Sequence, residues 1–167
     1  MLKFLLVGES RVGKTCLLRR FTREAYSELP LTIGIDFESQ KMDIDGLIVR
    51  LQLWDTAGQE RYRSVTKSYY KNCDAFVVCF DLCNRESFRA IEKWIAEVQD
   101  FASEALVMLV GTKLDAALEG NRQVSSAEAS QFVEERGFLG FVETSSKTGE
   151  NVSNLFFNIC KKVLTSR

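Results

Sequence analysis

The 167-residue chain predicts an α/β fold class, a three-layer sandwich whose six-stranded, mostly parallel sheet (one antiparallel strand) is flanked by about five helices. Three observations predict it. Apolar runs alternate with amphipathic ones from end to end. Two of the apolar runs, residues 75–80 and 106–110, are continuous enough to be strands covered on both faces. One Asp-Gly pair, Asp45-Gly46, lies between two strand-like segments as a two-residue hairpin turn does. With one proline, Pro30, and no repeat or low-complexity tract, nothing marks a boundary, and residues 1–167 are expected to form a single domain.

Each element has its own reason. Phe4-Leu5-Leu6-Val7 makes Lys3 to Gly8 a first strand, and the amphipathic run from about Lys14 to Arg23 a helix. Residues 37–44 and 47–54 are the hairpin arms; Val49, Leu51 and Leu53 alternate with Arg50 and Gln52, so one face of the second arm is buried. A second helix is expected near residues 65–71. Ala75 to Phe80 is the next strand, and Phe88, Ile91, Trp94, Ile95 and Val98 recur at helical spacing. After the strand Leu106 to Val110, Ser125-Ser126-Ala127-Glu128 reads as a capping box opening another helix. A short Phe141-Val142 strand follows, and Val152, Leu155, Phe156, Ile159 and Val163 mark a terminal helix. The order β-α-β-β-α-β-α-β-α-β-α puts parallel strands mid-sheet beside one antiparallel pair. Ligands of such sheets sit beyond the carboxyl ends of the strands.

Composition excludes several classes. A net charge of −1 leaves no basic footprint for nucleic acid. No apolar stretch nears the roughly 20 residues of a membrane span, and Met1-Leu2-Lys3-Phe4 is no secretory signal. The five cysteines lack metal-site spacing and fall mostly in apolar runs, which reads as a reduced, cytoplasmic protein. The absence of histidine removes histidine triads and histidine metal sites.

The chemistry begins at residues 8–16, GESRVGKTC. Gly8-x-x-x-x-Gly13-Lys14-Thr15 is a P-loop between a strand and a helix. Backbone N–H groups along Ser10, Arg11, Val12, Gly13, Lys14, Thr15 and Cys16 converge on an anion, at the positive end of the following helix. Lys14 is the catalytic cation expected at the β- and γ-phosphates, and the Thr15 hydroxyl a Mg²⁺ ligand. Trp54-Asp55-Thr56-Ala57-Gly58-Gln59-Glu60 leaves the second hairpin arm. There Asp55 can hold Mg²⁺ through water, Gly58 can offer its N–H to a γ-phosphate, and Gln59 can orient an attacking water.

At this point the chain resembles the Ras superfamily of small GTPases along nearly its whole length. Ile33-Gly34-Ile35-Asp36-Phe37 and Trp54 through Tyr70 (WDTAGQERYRSVTKSYY) look like its Rab branch. The resemblance implies a P-loop NTPase G domain with Thr32 on Mg²⁺ and Tyr26 stacked on the base or ribose. It implies that Phe37, Trp54 and Tyr69 meet effectors as a hydrophobic triad.

For Thr112-Lys113-Leu114-Asp115, a carboxylate at Asp115 can accept from guanine N1–H and its 2-amino group. Adenine leaves that carboxylate unpaired, the kind of loss that discriminates strongly. Lys113 lies along the base plane in this reading. Ser145-Ser146-Lys147 resembles the family's last loop, where the Ser146 N–H meets the guanine carbonyl and Ser145 braces. The expected activity is a GTP/GDP switch with slow hydrolysis, reloaded by an exchange factor and completed by a GTPase-activating protein that supplies an arginine. The implied setting is vesicle traffic on the cytosolic face of an endomembrane.

The chain also departs from the family. Thr112 stands where Asn is usual, and its shorter hydroxyl predicts a looser tie to the P-loop and faster exchange. Ser146 replaces a usual Ala at a backbone contact. Arg11 replaces a small residue at the crest of the phosphate loop, either solvated or paired with phosphate or an acidic partner. The Lys14–Thr32 segment is one residue short, with Leu29 near the place of a usual Tyr. The chain stops at Leu164-Thr165-Ser166-Arg167, with Cys160 inside the last helix, whereas relatives usually carry a prenylated tail; a trimmed tail is expected. Two other readings stay open: a nucleotide-loaded scaffold that does not hydrolyse, and a P-loop kinase for a small metabolite, whose acceptor site and arginine-rich lid do not stand out.

Overall fold

Six strands hydrogen-bond into one sheet in the order β2-β3-β1-β4-β5-β6. The structure is a computed structural model, and it describes residues 1–23, 35–56 and 68–167. Strands β1 (Leu2–Val7), β4 (Ala75–Asp81), β5 (Leu106–Thr112) and β6 (Gly140–Glu143) run parallel, and β3 (Leu47–Thr56) joins β1 in parallel. Only β2 (Ile35–Ile44) runs antiparallel, paired with β3 from Ile35↔Thr56 to Ile44↔Leu47. The predicted sheet is therefore present, and its hairpin turns where Asp-Gly stands. Asp45 and Gly46 both take positive φ, 52° and 90°, as the twist-matched two-residue turn requires, and Asp43 Oδ1 accepts from Gly46 N–H at 2.7 Å.

Successive side chains of a strand point to opposite faces, and β1 divides its residues accordingly. Leu2, Phe4 and Leu6 join one buried cluster, Leu5 and Val7 the other. The first cluster takes Leu17 and Leu18 from helix α1 (Lys14–Arg23), and Leu155, Phe156 and Ile159 from the C-terminal helix Val152–Thr165. Phe21 and Phe156 stack between these helices with ring centroids 4.2 Å apart. The second cluster is capped by Trp94 and Ile95 of Ile91–Phe101 and by Ala129 and Val133 of Ser126–Arg136. All seven residues of β4 are buried between the two layers, as its unbroken apolar sequence predicts.

The helices refine the expectation in four places. Of the helix expected near 65–71, residues 68–71 form turn and bend, and the rest lies outside the described residues. The helix read from Phe88 to Val98 is two, α2 (Arg85–Arg89) and α3 (Ile91–Phe101), with Ala90 between them. A single turn α4 (Leu114–Ala116) and a π-turn (Ala117–Asn121) follow β5; three residues are too few to show a period. At α5 (Ser126–Arg136), Ser125 Oγ accepts from Glu128 N–H at 3.1 Å, one half of the expected box. The Glu128 carboxylate instead takes both terminal nitrogens of Arg85, at 2.7 and 2.6 Å, and so fastens α2 to α5. The C-terminal helix is α6.

Candidate nucleotide-binding site

Side chains tie together the carboxyl ends of β1, β3, β5 and β6 and the described residues that follow β1, β5 and β6. At the end of β1, Gly8 has φ +145°, and a Cβ there lies 2.3 Å from the Cys79 carbonyl oxygen of β4. Only glycine lets the chain turn away from the sheet at that separation. Gly13 has φ +97° and Arg11 φ 65°, so the loop curls twice before α1 begins at Lys14. Lys14 is 5% exposed, and its ammonium donates to the carbonyls of Gly8 (2.9 Å) and Glu9 (2.7 Å). Burial lowers its pKa from the ordinary lysine range, and the nearby Asp55 carboxylate opposes that shift.

Glu9 is itself held, its Oε1 accepting from the Trp94 indole at 3.0 Å and lying 2.9 Å from Lys93 Nζ. The Thr15 hydroxyl donates to Asp55 Oδ2 at the end of β3. Asp55 is fully buried, and its neighbour Thr56 pins β3 to β1 by donating to the Leu6 carbonyl at 2.7 Å. A hydroxyl and a carboxylate in contact form a hard-oxygen pair, the donor chemistry that suits Mg²⁺.

Beyond β5, Thr112 is 2% exposed, and its hydroxyl faces the Val12 carbonyl and, at 3.0 Å, the Phe80 carbonyl. The base loop therefore grips the phosphate loop directly despite the short side chain. Lys113 takes a left-handed conformation (φ 61°) and spans to the Arg11 carbonyl at 3.0 Å and Asp81 Oδ2 at 2.6 Å. Asp115 Oδ1 accepts from Ser145 Oγ at 2.8 Å, and the same oxygen of Ser145 accepts from Thr148 N–H at 3.1 Å. Ser145 is buried, Ser146 half-buried and Lys147 exposed. Thus Ser10 to Cys16, Asp55, Thr112, Lys113, Asp115 and Ser145 to Lys147 lie on loops, helix starts or the last residues of strands at the carboxyl ends of the sheet. Tyr26, Thr32, Gly58 and Gln59 lie outside the described residues.

Two contributors escape sequence reasoning. Asp81, 8% exposed, sets Lys113 while its Oδ1 accepts from Cys83 N–H at 2.8 Å. Its position at the carboxyl end of a parallel strand is the signal that marks it. Glu9 occupies a variable place in the P-loop pattern, and nothing in the spacing announces its bond to Trp94. At one side of the site, Trp54 packs between Phe37 (centroids 4.8 Å) and Tyr69 (5.1 Å), so the three expected triad residues are contiguous.

The sequence model of the Ras family matches residues 3–165. The chain is 46% identical over 164 residues to Ras-related protein Rab-26 of Bos taurus, covering 96% of this chain and 63% of that protein. It is 43% identical over 167 residues to Ras-related protein Rab-4 of Dictyostelium discoideum (99% of this chain, 80% of the relative). To Ras-related protein Rab-30 of Homo sapiens it is 40% identical over 167 residues (99% and 81%). The chain thus spans just under two thirds of the first of these relatives. It belongs to the Ras family of small GTPases, within the Rab branch.

Proposed function

We propose that this protein binds GTP and GDP with Mg²⁺, hydrolyses GTP slowly, and acts as a switch in vesicle traffic at the cytosolic face of an endomembrane. The observation that carries the reading is the cross-bonding of four strand-end loops around a buried lysine: Thr15 to Asp55, Lys113 to Arg11, Thr112 to Val12, and Ser145 to Asp115. Lys14 meets the β- and γ-phosphates by exchanging its carbonyl partners for anionic oxygens. Phosphate recovers the solvation that burial has taken from the ammonium. Loop N–H groups from Ser10 to Cys16 bind the same phosphates.

Thr15, Asp55 and Thr32 would hold Mg²⁺, which supplies charge neutralisation at the phosphates when bound. Asp115 orients guanine through its N1–H and 2-amino group, with Lys113 along the ring plane and Tyr26 stacked on base or ribose. Ser146 N–H meets the guanine carbonyl, while Thr112, Ser145 and Lys147 keep these loops in place. Gln59 orients the attacking water, and Gly58 N–H and Thr32 sense the γ-phosphate. Switching follows because those contacts exist only in the triphosphate state. Effectors read that state through Phe37, Trp54 and Tyr69, with an exchange factor and a GTPase-activating protein as regulators.

The test is single-turnover phosphate release from γ-labelled GTP with ATP in competition. Release is expected, slowed by Gln59→Leu without loss of binding and undisturbed by excess ATP. Displacement by ATP equal to that by GTP refutes the guanine assignment; binding without release refutes hydrolysis.

A further inference from the structure

The sheet ends at β6, and among the described residues no strand pairs with its outer edge. The N–H groups of Leu139 and Thr144, at either end of the strand, donate inward to the Val107 and Gly111 carbonyls of β5. An edge strand also directs backbone N–H and C=O groups away from the sheet, where they template a further strand. Helix α5 packs on one face of the sheet and α6 on the other, so this edge lies between them. All four residues of β6 are half-buried, and a cavity of about 630 Å³ runs beside them, lined by Val142 and Glu143. Ser126 lines it from the start of α5, and Asn151, Asn154 and Asn158 from the start of α6.

The chemistry of that lining is neutral and matched to a peptide backbone. Glu143 is its charged residue, and Arg122 neutralises it, with Nη1 and Nη2 at 2.5 and 3.1 Å from the two carboxylate oxygens. Ser126 Oγ donates to the same carboxylate at 3.0 Å. Asn151 already serves a strand carbonyl, its Nδ2 donating to Glu143 O at 2.8 Å. Asn154 and Asn158 are exposed, and their carboxamides bond to no described residue. A carboxamide carries both the donor and the acceptor of a peptide group. Four residues of helix set these two about 6 Å apart along the axis. Groups on one edge of an extended chain repeat at about 6.7 Å.

We propose that β6 accepts an extended, uncharged segment of another protein as a seventh strand, and that Asn154 and Asn158 bond to the backbone of that segment. A helix satisfies its own backbone groups and leaves the edge of β6 unpaired. A second copy of this chain does not reach it, because its own β6 is recessed between the same two helices. A charged segment finds no partner in a lining whose one carboxylate is already paired. The site uses no residue assigned to the nucleotide and stands or falls apart from that reading.

The experiment screens a phage-displayed library of random linear dodecapeptides against the whole chain and remakes the enriched sequences as synthetic peptides. They are expected to be poor in Asp, Glu, Lys and Arg, and to bind at least about tenfold more weakly to Asn154→Ala/Asn158→Ala, which removes two hydrogen bonds. Both positions are exposed, so this variant is expected to melt with the wild type. A second measurement needs no variant. N-methylation of every second peptide amide abolishes binding in one register and costs less in the other, since only one edge of an added strand faces β6. Deuterium exchange at Gly140–Glu143 slows when the peptide is added. Peptides that bind the double variant equally well, or that tolerate N-methylation in both registers, overturn the inference, as does a screen that enriches none. Concentration-dependent dimers that slow exchange at Gly140–Glu143 without peptide overturn it in favour of a second copy.

Discussion

Replacing Thr112 by valine tests the grip between the base loop and the phosphate loop. Valine keeps the shape and exchanges a hydroxyl for a methyl. The hydroxyl's one hydrogen, within reach of the Val12 and Phe80 carbonyls, is then lost in a pocket where Thr112 is 2% exposed, and the carbonyl it serves loses its donor. A buried acceptor left without its donor costs about 1–3 kcal/mol. If the whole cost falls on the nucleotide-bound state, release of GDP accelerates by about 5- to 150-fold. Whatever remains lowers the thermal midpoint of the loaded protein, at about 2–4 °C per kcal/mol for a chain of this size. The assay is displacement of a fluorescent GDP analogue by excess unlabelled GDP, with a parallel melt. Thr112→Ser keeps the donor and is expected to release GDP at the wild-type rate. Wild-type release and an unchanged midpoint in the valine variant refute the grip.

Gly8→Ala drives a methyl into the Cys79 carbonyl at a φ that alanine resists, so a loss of about 2–6 kcal/mol is expected by calorimetry; an unchanged midpoint contradicts the turn geometry. Burial pushes the Cys73, Cys79 and Cys160 thiols up to about 12 and raises Cys83 as well, with Asp81 adding to it. Only Cys16 and Cys83 are partly exposed, so a thiol reagent at mildly alkaline pH is expected to label those two first. Mass mapping of the labelled native protein checks it. Hydrogen bonds from Arg85 lower the Glu128 pKa below the ordinary 4.5. The stabilisation this gives is complete above that value and disappears as pH falls through the lower folded-state pKa, so the stabilities of wild type and Arg85→Ala converge in acid. Curves that stay parallel across that window contradict the pairing.

Periodicity and turn chemistry sufficed for the sheet, because a doubly covered strand such as β4 and an Asp-Gly hairpin leave few other folds for their sequence. The split of the expected Phe88–Val98 helix at Ala90 was hidden, since Phe88 and Ile91 keep helical spacing across the junction. The one-turn helix at Leu114 was hidden for another reason: it follows a left-handed Lys113, unusual for a lysine, and is held by the long-range bond from Leu114 N–H to the Thr144 carbonyl. Within the site, the described residues announced by fixed spacing lie at, or on the loops and helix starts just after, the carboxyl ends of strands. Of those that act by tertiary contact, Asp81 is marked only by its place at the end of β4, and Glu9 carries no local pattern. The Thr112 hydroxyl shows the limit of reasoning from side-chain length. It is shorter than the usual amide, yet it bonds to the Val12 carbonyl.

Trp94 is fully buried in the layer of core farther from α1, and by composition alone it is packing material. Its indole nitrogen nevertheless fastens the carboxylate of Glu9, whose own carbonyl receives the Lys14 ammonium. A core tryptophan is thereby a strut of the phosphate cradle. The interior thus reaches the loop between β1 and α1 through one N–H, and a substitution at Trp94 that keeps the volume but loses that donor is expected to loosen Glu9 before it disturbs the core.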